Sequence, residues 1–239
     1  MSEHRHSEDL RRLREHYAAL VREHGDGPAA VQQSDVETQE RRMAVLAEVG
    51  EMRTAKVLDF GCGTAHLLDF LVRTHRFCGE YVGYDICPDM VEAASRKFPG
   101  VRFEARDIFA YGIPEKFDYV LVNGVFNNRI SDNWGFLTDS LQILFSSVRR
   151  AVAFNCLSTY VDYFAQGLWY ADPGAVFRFC KENLSPCVTL RHDYLVKEGV
   201  VPYEFSVYVY RSGIQPRCKM EMLSRQGCQP TDDRSVNVK

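Results

Sequence analysis

Asp59, Gly61 and Gly63 are the residues here whose types and spacing say most about chemistry. They lie in Val57-Leu58-Asp59-Phe60-Gly61-Cys62-Gly63-Thr64-Ala65-His66-Leu67-Leu68, where an apolar run ends in an acid, a Gly-x-Gly turn follows and a helical pattern starts at once. That order predicts a strand, a tight glycine loop and a helix N-terminus. Without a Cβ, the glycines let backbone N–H groups approach a ligand closely. The free N–H groups of a helix start favour a carboxylate or phosphate. The ligand expected here is therefore nucleotide-like or amino-acid-like. Asp85 follows roughly 20 residues later, at the end of the next apolar run, where an acid accepts from both hydroxyls of a ribose. Asp107, in Ala105-Arg106-Asp107-Ile108, is placed to accept from an adenine amino group. Asp59 is unhelpful beside a pyrophosphate and suits a ligand with a free amino group.

Alternating strands and helices must position these groups. Asp9 to Glu23 and Asp35 to Val49 read as helices, the first broken by Gly25-Asp26-Gly27-Pro28. Strands are expected at 55–60, 81–85, 101–105, 117–123 and 151–157, with helices at 65–74, 88–98, 134–148 and from Asp172-Pro173 to about Asn183. Ser131 or Asp132 caps the 134–148 helix. The last two strands are read at 188–194 and 205–210. Such alternation with short links implies a doubly wound, seven-stranded, mostly parallel sheet in a three-layer α/β/α sandwich. The final link is only about ten residues, too short for a parallel crossover, so the last strand is expected to be antiparallel and inserted beside the sixth. The chain divides into an N-terminal helical cap (1–50), a ligand-binding core (51–211) and a polar tail (212–239) expected to be disordered.

Composition narrows the class. The chain has 239 residues, 46% of them hydrophobic, enough for one sizeable core, and a net charge of −3. No basic track is visible, which argues against a nucleic-acid partner. No apolar stretch approaches the ~20 residues that span a bilayer, and the polar start is no secretory signal. The eight cysteines contain no Cys-x-x-Cys pair, so neither a metal nor a dithiol site is expected. A reducing, cytoplasmic setting fits.

Four segments in order resemble the class I S-adenosylmethionine-dependent methyltransferases. Val57 to Thr64 is similar to the family's glycine-rich first motif, and Tyr81-Val82-Gly83-Tyr84-Asp85-Ile86-Cys87-Pro88-Asp89-Met90 to its ribose segment. Arg106-Asp107-Ile108-Phe109 is similar to its adenine segment, and Phe117 to Asn123 to its fourth motif. The resemblance implies S-adenosylmethionine as cofactor. Gly61 and Gly63 would pass beside its methionine part, and Asp59 would help hold its ammonium. Asp85 would hold the ribose, with Ile86 and Met90 against the adenine. Asp107 would accept from the adenine amino group, Ile108 would offer backbone contacts, and Asn123, at the end of the fourth motif, would be a further cofactor contact. Two departures stand out. Ala65 or His66 occupies the third glycine position, and no Pro-Gly-Gly turn precedes strand five. Plain structural roles also exist: Asp59 as a helix-cap partner, Asp85 as a turn residue, Met90 as core, Asp107 as the cap of a following turn.

Methyl transfer aligns an acceptor with the cofactor, and a base helps where the acceptor must lose a proton. Candidates lie past strands four to six and at the start of strand seven. His192 is the preferred base, since its unperturbed pKa lies near neutrality, with Tyr194 beside it. A structural histidine is the alternative. Asn127, Arg129, Tyr160, Trp169 and Tyr203 are the candidate acceptor contacts, Arg129 as a partner for a carboxylate or phosphate. Tyr17, Gln39 and Arg42, on the N-terminal helices, are placed to reach the cofactor carboxylate or the acceptor. The expected acceptor is a small molecule, methylated on oxygen or nitrogen, with carbon open. An NAD-dependent oxidoreductase and a catalytically inactive binding module are the alternatives.

Overall fold

The protein is described here from a computed structural model that covers residues 4–25, 27, 35–197 and 199–213. The tail expected from 212 onward lies outside the described residues beyond Gly213. Helices α1 (Ser7–His24) and α2 (Val36–Ala47) precede the alternating part: β1 (Lys56–Phe60), α3 (His66–His75), β2 (Glu80–Asp85), α4 (Pro88–Lys97), β3 (Arg102–Ala105), α5 (Ile108–Tyr111), β4 (Phe117–Val122), α6 (Asn133–Ser146), β5 (Val148–Leu157), α7 (Pro173–Asn183), β6 (Val188–Arg191) and β7 (Glu204–Tyr210). Helix starts follow the capping chemistry of the sequence. Asp35, Asp132 and Asp172 each accept from a backbone N–H three residues on, and Pro88 and Pro173 open their helices.

The strands form one sheet in the order β3-β2-β1-β4-β5-β7-β6. β7 runs antiparallel to both β5 and β6 and is inserted between them, while the other pairings are parallel. Chain order reverses between β1 and β4, the topological switch where such sheets bind ligands at their carboxyl ends.

Period-2 alternation sorts the strand side chains into two cores. Leu58, Val82, Val120, Val152, Phe154 and Val207 pack with Leu137 and Leu141 of α6 and Val176 of α7. Val57, Tyr81, Leu121, Ala153 and Tyr208 pack with Met43 and Leu46 of α2, Leu71 of α3 and Ala94 of α4. The helices thus cover both faces.

Three elements differ from the sequence expectation. Helix α5 was not anticipated; Asp107 starts it by accepting from the N–H groups of Phe109 (2.9 Å) and Ala110 (3.2 Å). β5 begins at Val148, three residues early, and a register shift between Phe117↔Val148 and Tyr119↔Ala151 takes up the extra length. β6 ends at Arg191, so His192 to Tyr194 lie beyond the strand rather than in it.

Candidate active site

The site grows from the turn after β1. The N–H groups of Gly61 and Cys62 both donate to Tyr84 O, at 2.7 and 3.0 Å, which ties the loop to the end of β2. Gly61 and Gly63 take φ of +77° and +52°, a region that L side chains resist. A Cβ on Gly61 would lie 2.2 Å from Val125 Cγ2, so the loop after β4 packs directly on the bare backbone. Ala65 occupies the expected third glycine position and is itself left-handed, φ +63°.

Acids flank the turn. Asp85 Oδ2 accepts from Gly63 N (2.9 Å) and Oδ1 from Cys87 N (2.8 Å), leaving lone pairs toward the crevice it lines. Its burial raises its pKa, against the backbone donors of Cys87, Gly63 and Ile86. Asp59 Oδ2 accepts from the Tyr81 hydroxyl, while its buried Oδ1 has no partner among the described residues. Burial pushes Asp59 up to about 7; the Tyr81 bond opposes this and the Asp85 charge adds to it. Thr64 Oγ1 is likewise buried and unpartnered among the described residues.

These groups share one crevice at the carboxyl ends of β1, β2 and β4. The structure brings together there all nine residues expected at the cofactor: Asp59, Gly61, Gly63, Asp85, Ile86, Met90, Asp107, Ile108 and Asn123. Tyr17 and Gln39 line it too, and Gln39 Oε1 accepts from His66 Nδ1 at 2.8 Å. Phe109 and Phe136 add apolar wall, and Leu10 and Leu13 of α1 face the same space. Helix α1 roofs the crevice. His4 Nε2 donates to Asp107 Oδ2 (2.8 Å), His6 Nε2 to Asp139 Oδ2 (2.9 Å), and the Ser131 hydroxyl donates to Asp9. Sequence reading gave no site role to Thr64, His66, Phe109 and Phe136; adjacency to the glycine turn was the available signal for the first two and the adenine segment for Phe109, while long-range packing placed Phe136.

Several expectations need correction. Asp107 reaches the crevice, and its carboxylate also caps α5 and binds His4, the capping role that the sequence offered as its alternative. His192 and Tyr194 do not line the crevice. His192 Nε2 donates to Pro202 O at 3.0 Å, and the Tyr194 hydroxyl meets Ser206 Oγ at 2.9 Å. Their strand stops short, so neither is carried forward as a base. Arg42 is also absent from the crevice wall: its Nε donates to the buried Glu204 Oε1 at 2.7 Å, and its guanidinium to the Tyr203 hydroxyl at 3.2 Å. Tyr203 is thus engaged by Arg42. Asn127 Oδ1 accepts from Leu157 N (3.2 Å) and its carbonyl from Trp169 N (2.8 Å), which joins two loops, while Trp169 packs against the core. Tyr160 is exposed, with its ring against His192. Arg129 lines a separate cavity.

A buried polar chain supports the crevice from behind. Asn155 Oδ1 accepts from Gly124 N (2.7 Å), and its Nδ2 donates to Asn123 Oδ1 (3.1 Å) and Glu204 Oε2 (3.4 Å). Burial raises the Glu204 pKa, against Arg42 and Asn155. Among the described residues, no cluster of three or more His, Cys, Asp or Glu is arranged to hold a metal, and no helix is long and apolar enough to cross a membrane.

Comparison with known proteins agrees with this geometry. The family model described as "Methyltransferase domain" matches residues 52–158. A Mycobacterium tuberculosis (strain ATCC 25618 / H37Rv) protein described as a methyltransferase, Rv1506c, is 38% identical over 160 residues, covering 64% of this chain and 92% of that protein. A trans-aconitate 2-methyltransferase from Rhizobium meliloti (strain 1021) is 31% identical over 101 residues, covering 41% of this chain and 38% of that protein. The crystal structure of magnesium protoporphyrin IX methyltransferase from Synechocystis PCC 6803, with S-adenosylmethionine bound, superposes with a TM-score of 0.61 at 17% identity. That match covers 85% of this chain and 97% of the other, and speaks to fold alone.

Proposed function

The chain belongs to the class I S-adenosylmethionine-dependent methyltransferases, and from that membership we propose that it methylates an oxygen or nitrogen of a small organic molecule. S-adenosylmethionine supplies a methyl group on a sulfonium, and the protein's part is to hold, align and dry the reacting ends. The observation that carries the cofactor reading is a pair of buried oxygens without a partner among the described residues, Asp59 Oδ1 and Thr64 Oγ1, on residues that line the crevice beside the bare Gly61–Gly63 turn. Asp59 would accept from the amino acid ammonium. Thr64 would serve the carboxylate with the first N–H groups of α3. Asp85 would accept from the ribose through its remaining lone pairs. Ile86, Met90 and Ile108 would line the adenine space, with Phe109 and Phe136 completing the wall.

A small acceptor is supported by the roof of α1, which narrows access to the crevice, and by a chain of net charge −3 without a basic track for nucleic acid. Calorimetry with S-adenosylhomocysteine and with NADH tests the cofactor assignment: micromolar binding of the first and none of the second is expected, and the reverse would overturn it. A tritiated methyl donor offered with small acids, phenols and amines then tests the acceptor class. Label appearing only in protein or nucleic acid would refute the small-molecule reading.

A further inference from the structure

A second cavity, of about 440 Å³, opens between α1 and the loop that leaves β4. That volume suits a small organic molecule. Leu13 lines both this cavity and the cofactor crevice. The wall between them holds a bond from Asn128 Nδ2, on the second cavity, to the hydroxyl of Tyr17, on the crevice, at 2.7 Å.

The cavity has built walls. Asn128 pairs with Leu168 in an antiparallel bridge, and Arg129 N donates to Gly167 O at 2.8 Å, so two loops form a short ladder. On the helix side Asp9 accepts from the Ser131 N–H at 3.2 Å and from its hydroxyl. The charge of the lining is positive. Arg12 and Arg129 stand in the lining against one acid, Asp9, whose oxygens are engaged by Ser131. Arg12 shares its guanidinium with Glu8 along α1, and Arg129 lines the cavity from the loop after β4. Two arginines lining one concave space favour an anion, and a guanidinium matches a carboxylate's fork geometry.

We propose that this second cavity is the acceptor site and that the acceptor is a small organic acid. Arg129, with Arg12, holds its carboxylate, and its reacting end reaches the crevice past Leu13 and the Tyr17–Asn128 pair. This assignment rests on the methyl-transfer reading and names its substrate class.

The test uses full-length protein first titrated with S-adenosylhomocysteine and then kept saturated with it. Isothermal titration follows with succinate, with trans-aconitate and with the neutral trimethyl ester of trans-aconitate. At least one of the two anions should bind, and the ester should not. Arg129→Gln should weaken the anion at least tenfold, Arg129→Lys less, and Arg12→Gln by an intermediate amount, all with S-adenosylhomocysteine affinity unchanged. Binding of neither anion, equal binding of the ester, or full anion affinity in Arg129→Gln would overturn the proposal. Loss of S-adenosylhomocysteine binding by the unaltered protein would instead sink the methyl-transfer reading, and the anion titration of the unloaded protein would still decide the cavity.

Discussion

Cofactor binding should release a proton near neutral pH, and Asp59 is the source. Burial pushes this carboxyl up to about 7, from an ordinary value of 3.8, and its Oδ1 has no donor among the described residues. A ligand ammonium beside it favours the ionised form. If the bound carboxyl titrates well below 6, affinity follows the ionised fraction of the unliganded protein. That fraction falls from about 0.9 at pH 8 to about 0.1 at pH 6, so affinity should fall about tenfold, with about half a proton released at pH 7. Titration of S-adenosylhomocysteine in buffers of different ionisation enthalpy measures both quantities. Asp59→Asn removes the carboxyl and keeps an acceptor for Tyr81, so its affinity should be lower at pH 8 and its pH slope lost. Stability has the opposite sign. A carboxyl raised on folding opposes the folded state wherever it ionises. The unliganded protein should therefore be most favoured, on this account, below about pH 4, and lose that contribution as pH rises through 7. Asp59→Asn should stabilise it at pH 8 by on the order of 2–4 kcal/mol. A flat affinity between pH 6 and 8, or an unchanged slope in Asp59→Asn, would refute the reasoning.

Other outcomes follow from the same geometry. Gly61→Ala places a Cβ 2.2 Å from Val125 Cγ2 at a φ of +77°; it should cost more than the ~1–2 kcal/mol of the backbone conformation alone and weaken S-adenosylhomocysteine, with Val125→Ala relieving only the clash, as thermal melts and titrations will show. Arg42→Ala leaves the buried Glu204 uncompensated and should cost ~3–5 kcal/mol in urea unfolding, whereas Arg42→Met with Glu204→Gln should recover much of that loss. His192→Ala removes one bond to Pro202 O and should cost about 1 kcal/mol, with turnover within a few-fold of the parent; a hundredfold loss of turnover at intact cofactor affinity would restore it as a base.

Local signals made much of this protein readable. The Gly-x-Gly turn, its preceding acid and the acid ending the next strand report backbone conformation and strand ends, which nearby residues dictate. The short link before the last strand likewise decided its direction, and β7 is antiparallel as read. What escaped reading depends on distant partners. Asp107 binds His4 across 103 positions, and Arg42 meets Glu204 across 162, so no window of sequence could reveal that these side chains are already engaged. The left-handed Ala65 shows a glycine role filled by a residue that hides it. His192 was misplaced for a smaller reason: the alternating pattern of residues 188–194 outruns the pairing, which stops at Arg191 with Ser206.

Helix α1 has a kinetic consequence. Leu10, Leu13 and Tyr17 of that segment form part of the wall over the crevice. His4, His6, Asp9 and Tyr17 tie it to the rest of the site, so lifting it would break those bonds. Where lid opening sets the rate of release, loosening these ties should raise turnover without touching the glycine turn.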